Sequence, residues 1–258
     1  MLWKFYKTDP DICSYLFGTM HLATEEAYTF VNIAQKYIDK VSSYAGEMDL
    51  NEATGKDMMS FMTLPDGVRF SSFFRPKQYA KYKKLVLKTF KIDLISYDTL
   101  TPFFMNNLLA ELTLPKSKNE PLDHFLWNYA MEKNKKMKGV ESFENQLNVL
   151  RQIPLDYQIK AFRRSLKNIG TFKSKLKKIN EIYSTGDINK IYKISKKSMG
   201  SIRKLMIYDR NTFMAEKIIQ LASKMPLFAA VGAAHLAGKN GLIALLKKEG
   251  FNVQPVSS

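Results

Sequence analysis

The sequence predicts a mixed α/β fold, with a central mixed sheet built from strand-rich N- and C-terminal segments and a largely helical middle. Three observations carry this expectation. Short aromatic and β-branched runs gather at both ends, and apolar residues recur at helical spacing between them. The closing segment alternates strand, glycine-punctuated turn, amphipathic helix and strand. At 258 residues the chain can bury a sizeable core, and it reads as one domain, 1–258, with a helical insertion over about 70–225.

Taken in order, LWKFY (2–6) and the run CSYLFG, separated by a turn at Asp9-Pro10-Asp11, resemble a hairpin. Over 24–40 the positions Ala27, Phe30, Val31, Ala34, Tyr37 and Ile38 follow a helical period, with Thr24 as N-cap ahead of Glu25 and Glu26. Residues 41–50 read as a third strand ending in the acidic GEMDL, and 54–76 is less regular. Ser72 or Arg75-Pro76 opens a basic amphipathic helix to Phe90, Thr101-Pro102 gives an N-cap with Pro at N1, and Pro121 opens LDHFLWNYAMEKNKKM. Further helices are expected over 145–151, 154–183, 188–196 and 212–224. PLFAAVG then reads as a strand, GAAHLAGKNG as a turn, LIALLKKE as a helix with Gly250 at C′, and FNVQPV as the last strand. In such βαβ-like units ligands sit at the carboxyl ends of strands, and His235 falls in that turn.

Composition narrows the function classes. Lys+Arg 40 against Asp+Glu 24 gives a net charge of +16. The Lys-rich stretch over 160–204 reads as a solvated helical surface, and with Lys outnumbering Arg it lacks the readout residues of a nucleic-acid site. Nucleic acid is therefore disfavoured as a partner, while association with a membrane surface stays open. The single cysteine, Cys13, excludes an intramolecular disulfide and a Cys-based zinc cluster. No apolar run approaches the roughly 18 residues of a transmembrane helix. As written, the N-terminus has no basic segment followed by a long apolar run, so no signal peptide is expected in this chain.

Only three histidines are present, His21, His124 and His235. Two of them share a context: Phe17-Gly18-Thr19-Met20-His21-Leu22 and Val231-Gly232-Ala233-Ala234-His235-Leu236 both place apolar, Gly, two small or apolar residues, His and Leu directly after an apolar strand. A glycine there lets the backbone turn sharply and brings an imidazole over the sheet edge. Two His with one carboxylate form an open catalytic metal set. Glu47, at the end of the third strand, is the best third ligand, and alternation puts Asp49 on its face with Met48 opposite. No HExxH is present. His124 lies at the edge of the stripe Leu122, Phe125, Leu126 and Tyr129 and reads as a partly exposed helix residue. Phe73, Phe74, Phe103, Phe104, Met58, Met59 and Met62 read as core, with an adaptable peptide cleft as the minority reading.

The pieces LWK, YLFGTMHL, GEMDL, LDHFL…KGVESFENQL, the RN of YDRN and VGAAHLAGKNGLIALLKKEGFNVQPV resemble, in order and over nearly the whole chain, the TraB/PrgY/GumN family. That family includes the Tiki-type metalloproteases and is related in fold to the erythromycin esterase and ChaN-like proteins. The resemblance implies two GxxH motifs meeting in one cleft and divalent-metal-dependent peptide hydrolysis. It also implies an extracytoplasmic setting, with a leader preceding the first strand, against a cytoplasmic alternative. Carried over residue by residue, the GxxH histidines are His21 and His235, the acid after the third strand is Glu47, and the central acid is Glu141 of GVES. Glu144 and Gln146 follow in the same motif, and Arg210-Asn211 match the RN pair.

On this reading His21, Glu47 and His235 hold a divalent cation (Zn²⁺, Mn²⁺ or Co²⁺), and Glu141 serves as the base that takes a proton from an activated water. Arg210 holds a substrate carboxylate or the developing oxyanion, with Asn211 as a supporting donor. Glu47 and Glu141 can exchange ligand and base roles. The expected function is a metal-dependent hydrolase, leaning to a peptidase acting on a peptide or protein substrate. The alternatives are an esterase-type hydrolase, a non-catalytic peptide-binding regulator, and a charge-driven polyanion or membrane-surface binder.

Overall fold

A computed structural model describes residues 1–52, 59 and 61–256, so Met58 lies outside the described residues. The chain divides into two compact units, Met1–Glu52 with Lys116–Val149 and Ile179–Ser258, and Ala53–Pro115 with Leu150–Lys178. Six strands are described: β1 (Leu2–Tyr6), β2 (Ser14–Thr19), β3 (Ser43–Met48), β4 (Lys136–Glu141), β5 (Leu227–Gly232) and β6 (Asn252–Pro255). Among the described residues the α-helices are α1 (Val31–Ile38), α2 (Pro76–Phe90), α3 (Pro102–Glu111), α4 (Leu122–Glu132), α5 (Phe143–Arg151), α6 (Leu155–Lys167), α7 (Ile169–Ser184), α8 (Ile188–Met199), α9 (Arg210–Ala222) and α10 (Leu242–Lys248). The fold is mixed α/β, as expected.

In the first unit the strands form one sheet in the order β4-β3-β5-β2-β1-β6. The pairs β4/β3, β3/β5 and β5/β2 are parallel, and β1 runs antiparallel to both β2 and β6. Both faces of the sheet are covered. Phe228 and Ala230 of β5 pack in one core cluster with Ile38, Leu126 and Trp127. Leu227, Ala229 and Val231 pack in another with Met214, Ile218, Leu242 and Leu246. Burial on both sides is why β5 reads as an unbroken apolar run instead of an alternating one.

Four local expectations change. The helix expected over 24–40 starts late: Thr24 Oγ1 accepts from the Ala27 N–H at 3.2 Å, but a 3₁₀ turn, Ala27–Phe30, precedes α1. Tyr28, Thr29 and Phe30 are weak helix formers, and 3₁₀ turns are frequent at helix starts. The helix expected over 154–183 is two, α6 and α7, broken at Asn168 with φ −131° and ψ 60°. Asn offers the backbone local alternatives to the helix.

The helix opened by Pro121 ends at Glu132 and does not run on to Met137. Asn134 adopts φ 54°, its N–H donates to Met131 O at 2.9 Å, and the Lys135 N–H donates to Ala130 O at 3.0 Å. This αL stop turns the chain into β4, a strand missing from the sequence reading because KMKGVE is Lys-rich and lies at a sheet edge. Finally, β3 ends at Met48, so Asp49 no longer follows strand alternation and its Oδ1 accepts from the Asn51 N–H at 3.0 Å.

The second unit is helical around a core of Phe70, Phe74, Tyr82, Val86, Met105 and Phe162 and their neighbours. Phe74 is core as expected, Phe73 packs against that core, and Phe103 and Phe104 stack edge to face at 5.4 Å. Met59 is 59% exposed, against the expectation of core, and Met62 is partly buried. Among the described residues no helix is long and apolar enough to cross a membrane.

Candidate functional site

Because β2, β3, β4 and β5 run parallel, their carboxyl ends share one sheet edge, where ligands of such sheets bind. Thr19 pairs with Gly232 and Met48 with Glu141, so the turns that carry His21 and His235 leave the sheet from adjacent strands. The glycines of both motifs are explained by close approach. Gly232 has φ −53°, which any residue adopts; a Cβ there would lie 3.1 Å from Glu47 Oε2 and 3.5 Å from His235 Cδ2. A Cβ at Gly18 would lie 2.8 Å from Leu236 Cδ1 and 3.1 Å from Ala233 Cα, so the first GxxH makes room for the turn of the second. Gly18→Ala is therefore expected to destabilise the fold by about 1–3 kcal/mol, read as a lowered urea midpoint with unchanged slope.

Arg210, the first residue of α9, follows a π-helical turn, Lys204–Asp209. Its Nε donates to Glu141 Oε1 at 3.1 Å and to Oε2 at 3.0 Å, and its Nη2 donates to Glu47 Oε1 at 2.6 Å and to Glu141 Oε2. Glu47 Oε2 accepts the Gly232 N–H at 2.7 Å. One guanidinium thus gathers two carboxylates, and the two differ in environment. Burial opposes ionisation of Glu47, but Arg210, His235 and the Gly232 N–H outweigh it and hold its carboxyl at about 2. Burial dominates at Glu141, pushing its carboxyl above the ordinary value despite the bonds from Arg210, with the Glu47 charge adding to the shift. Arg210, expected to hold substrate, is instead engaged by these two acids.

Asn211 is fully buried. Its Nδ2 donates to His235 O at 3.2 Å and to Asn240 O at 2.6 Å, which leaves Oδ1 facing His235 Nδ1 at 2.5 Å. Nδ1 is then the protonated ring nitrogen and Nε2 carries the lone pair. Burial, with Arg210 adding and Glu47 opposing, lowers His235 to about 4 from its ordinary 6.5. The unfolded chain takes up this proton first as pH falls, so His235 contributes stability that is full above about pH 6.5 and is lost toward pH 4. Holding His235 at about 4 in place of its ordinary 6.5 corresponds to about 3 kcal/mol. Urea melts in chelator should show this loss in the parent chain and a flatter profile in His235→Gln.

His21 has different neighbours. Its Nδ1 lies 2.7 Å from Asp123 Oδ2, its ring meets His124 edge to face at 5.4 Å, and the ligand atoms of His21, Asp123 and His124 all lie within 4.8 Å of one another. Asp123 Oδ1 and the Tyr44 hydroxyl are buried without a hydrogen-bond partner. All four residues line a cavity of about 270 Å³ together with Glu47, Gln146 and Gly232. Two imidazoles and a carboxylate beside an orphaned carboxylate oxygen are a donor set that fits a divalent cation.

The structure therefore joins Glu47, Glu141 and Arg210 in one set and Asn211 with His235 in a second, adjacent set, and it pairs His21 with Asp123 and His124. His124, expected to be a bland helix-edge residue, faces the cavity, and Asp123 was not anticipated. Glu144 is exposed in the first turn of α5. The legible signal was an Asp-His pair in the first turn of the helix opened by Pro121.

A family model described as the TraB/PrgY/gumN family matches residues 1–255. The chain is 22% identical over 320 residues to "Metalloprotease TIKI homolog" of Nematostella vectensis, covering 99% of the chain and 66% of that protein. It is 24% identical over 313 residues to "Metalloprotease TIKI1" of Homo sapiens (98% and 61%) and 23% over 321 residues to "Metalloprotease TIKI2" of Danio rerio (98% and 60%). The chain thus spans about 60–66% of the length of these relatives. No solved structure matches it.

Proposed function

Since the chain belongs to the TraB/PrgY/gumN family, we propose that it is a divalent-metal-dependent hydrolase of peptide bonds whose ion is held by His21, Asp123 and His124. The observation that carries this reading is the mutual approach of three ligand atoms beside the orphaned Asp123 Oδ1 in a cavity that Glu47 also lines. A bound ion would supply Lewis acidity toward a carbonyl oxygen and lower the pKa of water.

The chain's own groups divide the remaining work. Glu47, kept ionised by Arg210 and the Gly232 N–H, places a negative charge in the cavity wall that attracts a cation. Both of its oxygens are already engaged, which favours this electrostatic role over the ligand role expected from the sequence. Glu141, with its raised carboxyl, is the group suited to take and return a proton, and Arg210 and Gln146 hold its oxygens. Asn211 fixes the His235 ring in the tautomer that leaves the lone pair on Nε2. An extracytoplasmic setting belongs to the same proposal.

The test uses the purified chain stripped with chelator and reloaded with Mn²⁺, Co²⁺ or Zn²⁺ on a quenched-fluorescent peptide library. Cleavage that appears on reloading and vanishes on chelation is expected. Metal binding with no cleavage of any peptide would replace the hydrolase with the peptide-binding alternative.

A further inference from the structure

The second unit carries a groove of about 1660 Å³ between α2 and the last turn of α6. Small-molecule pockets run to roughly 300–1,000 Å³, so this one suits an extended chain segment. Six cations line it, Arg75, Lys77, Lys81, Arg163, Arg164 and Lys167, and no acidic residue does. Among the described residues none of the six enters an ion pair. Arg163 is fixed from below: its Nη2 donates to Phe73 O at 3.0 Å, its guanidinium lies 5.3 Å from the Phe74 ring, and its buried Nε has no partner. Phe73, Leu85, Leu166 and Ile169 add apolar lining to the same groove.

We propose that this groove binds acidic polypeptide segments in which Asp or Glu alternates with apolar side chains. Charge complementarity selects the acidic residues, and the apolar lining takes the others. The aromatic residues disfavour a nucleic acid as occupant. Base stacking needs free ring faces, whereas of the three aromatic residues lining the groove Phe74 and Tyr82 are 7% and 9% exposed, with their rings packed on each other and on Phe162, which leaves Phe73 alone partly exposed. The proposal rests on the second unit alone and is independent of the metal chemistry.

The experiment measures fluorescence anisotropy of a labelled Glu/Leu/Ser peptide with the full chain in chelator, where metal-dependent hydrolysis is off. The comparison probes are the Lys/Leu/Ser counterpart, an oligothymidylate and phosphatidylserine vesicles. The acidic peptide should bind, weaken with salt, and lose about tenfold or more in affinity to Lys81→Glu with Arg164→Glu and Lys167→Glu. The Gln triple variant should fall between. These side chains are exposed, so thermal melts should be unchanged. Undiminished peptide binding in the Glu variant would overturn the proposal, as would tighter binding of the oligonucleotide or the vesicles.

Discussion

If His21, Asp123 and His124 hold the ion as proposed, His124→Ala should lower divalent-metal affinity by about 100-fold or more, because a lost direct ligand exceeds the roughly 10–100-fold typical of outer-shell changes. His21→Ala does the same. Asp123→Asn is more informative, because it separates the metal-free from the metal-bound state. In the chelated protein it keeps the side-chain shape, leaves a polar atom in the place of Oδ1 and loses only the pairing of a partly exposed carboxylate with His21, so the metal-free fold changes by less than about 1 kcal/mol. In the presence of metal it should remove the proposed anionic ligand, so that affinity and metal-dependent turnover fall together. Isothermal titration with Co²⁺ and Zn²⁺, the Co²⁺ absorption spectrum and urea melts in chelator read the effects separately. The same set decides between two ligand sets. If His124→Ala retains affinity while Glu47→Gln and His235→Ala lose it, the ion sits on His21, Glu47 and His235, the set expected from the two GxxH motifs.

Arg210→Met produces the largest stability loss. The guanidinium is nearly buried between Glu47 and Glu141, and its removal leaves two carboxylates facing each other without a cation. Breaking a buried pair by deleting one partner costs about 3–5 kcal/mol. The pH dependence carries the mechanism. Without Arg210 both folded-state carboxyl pKa values rise above their unfolded values, so in the variant the two acids contribute stability that is present below about pH 4.5 and lost as pH rises. In the parent chain Glu47, held at about 2, keeps its full contribution above its ordinary 4.5, while His235, held at about 4, loses its own between pH 6.5 and 4 and Glu141, with its raised carboxyl, acts in the opposite sense. The stability gap between the parent and Arg210→Met should therefore widen as pH rises from about 4 to 8. Arg210→Met with Glu141→Gln should recover most of the loss at pH 7. A parallel slope in Arg210→Met would sink the assignment of Arg210 as the cation shared by both acids.

Much of this architecture is written in local pattern. The aromatic runs of β1 and β2, the Pro-opened α2 and α3, and the strand-turn-helix-strand close with Gly250 at φ 83° all lie where periodicity and turn chemistry put them. The exceptions have local causes. β4 hides in a Lys-rich edge, and its one readable signal is Asn134 as the αL residue that stops α4. The glycines of the two GxxH motifs were legible as special, yet their reason was not: each clears space for atoms brought by another part of the chain.

The sequence by itself determined the fold class, the family resemblance, and the presence of His21, Glu47, Glu141, Arg210, Asn211 and His235 at element ends. Only the tertiary structure decided who meets whom. His21 contacts Asp123 across 102 positions, and Arg210 reaches Glu47 across 163 and Glu141 across 69. The physical reason is that helical and strand periods encode which face of an element is buried. Partners at a shared edge instead follow from the strand order β4-β3-β5-β2, a result of long crossovers and packing on both faces of the sheet.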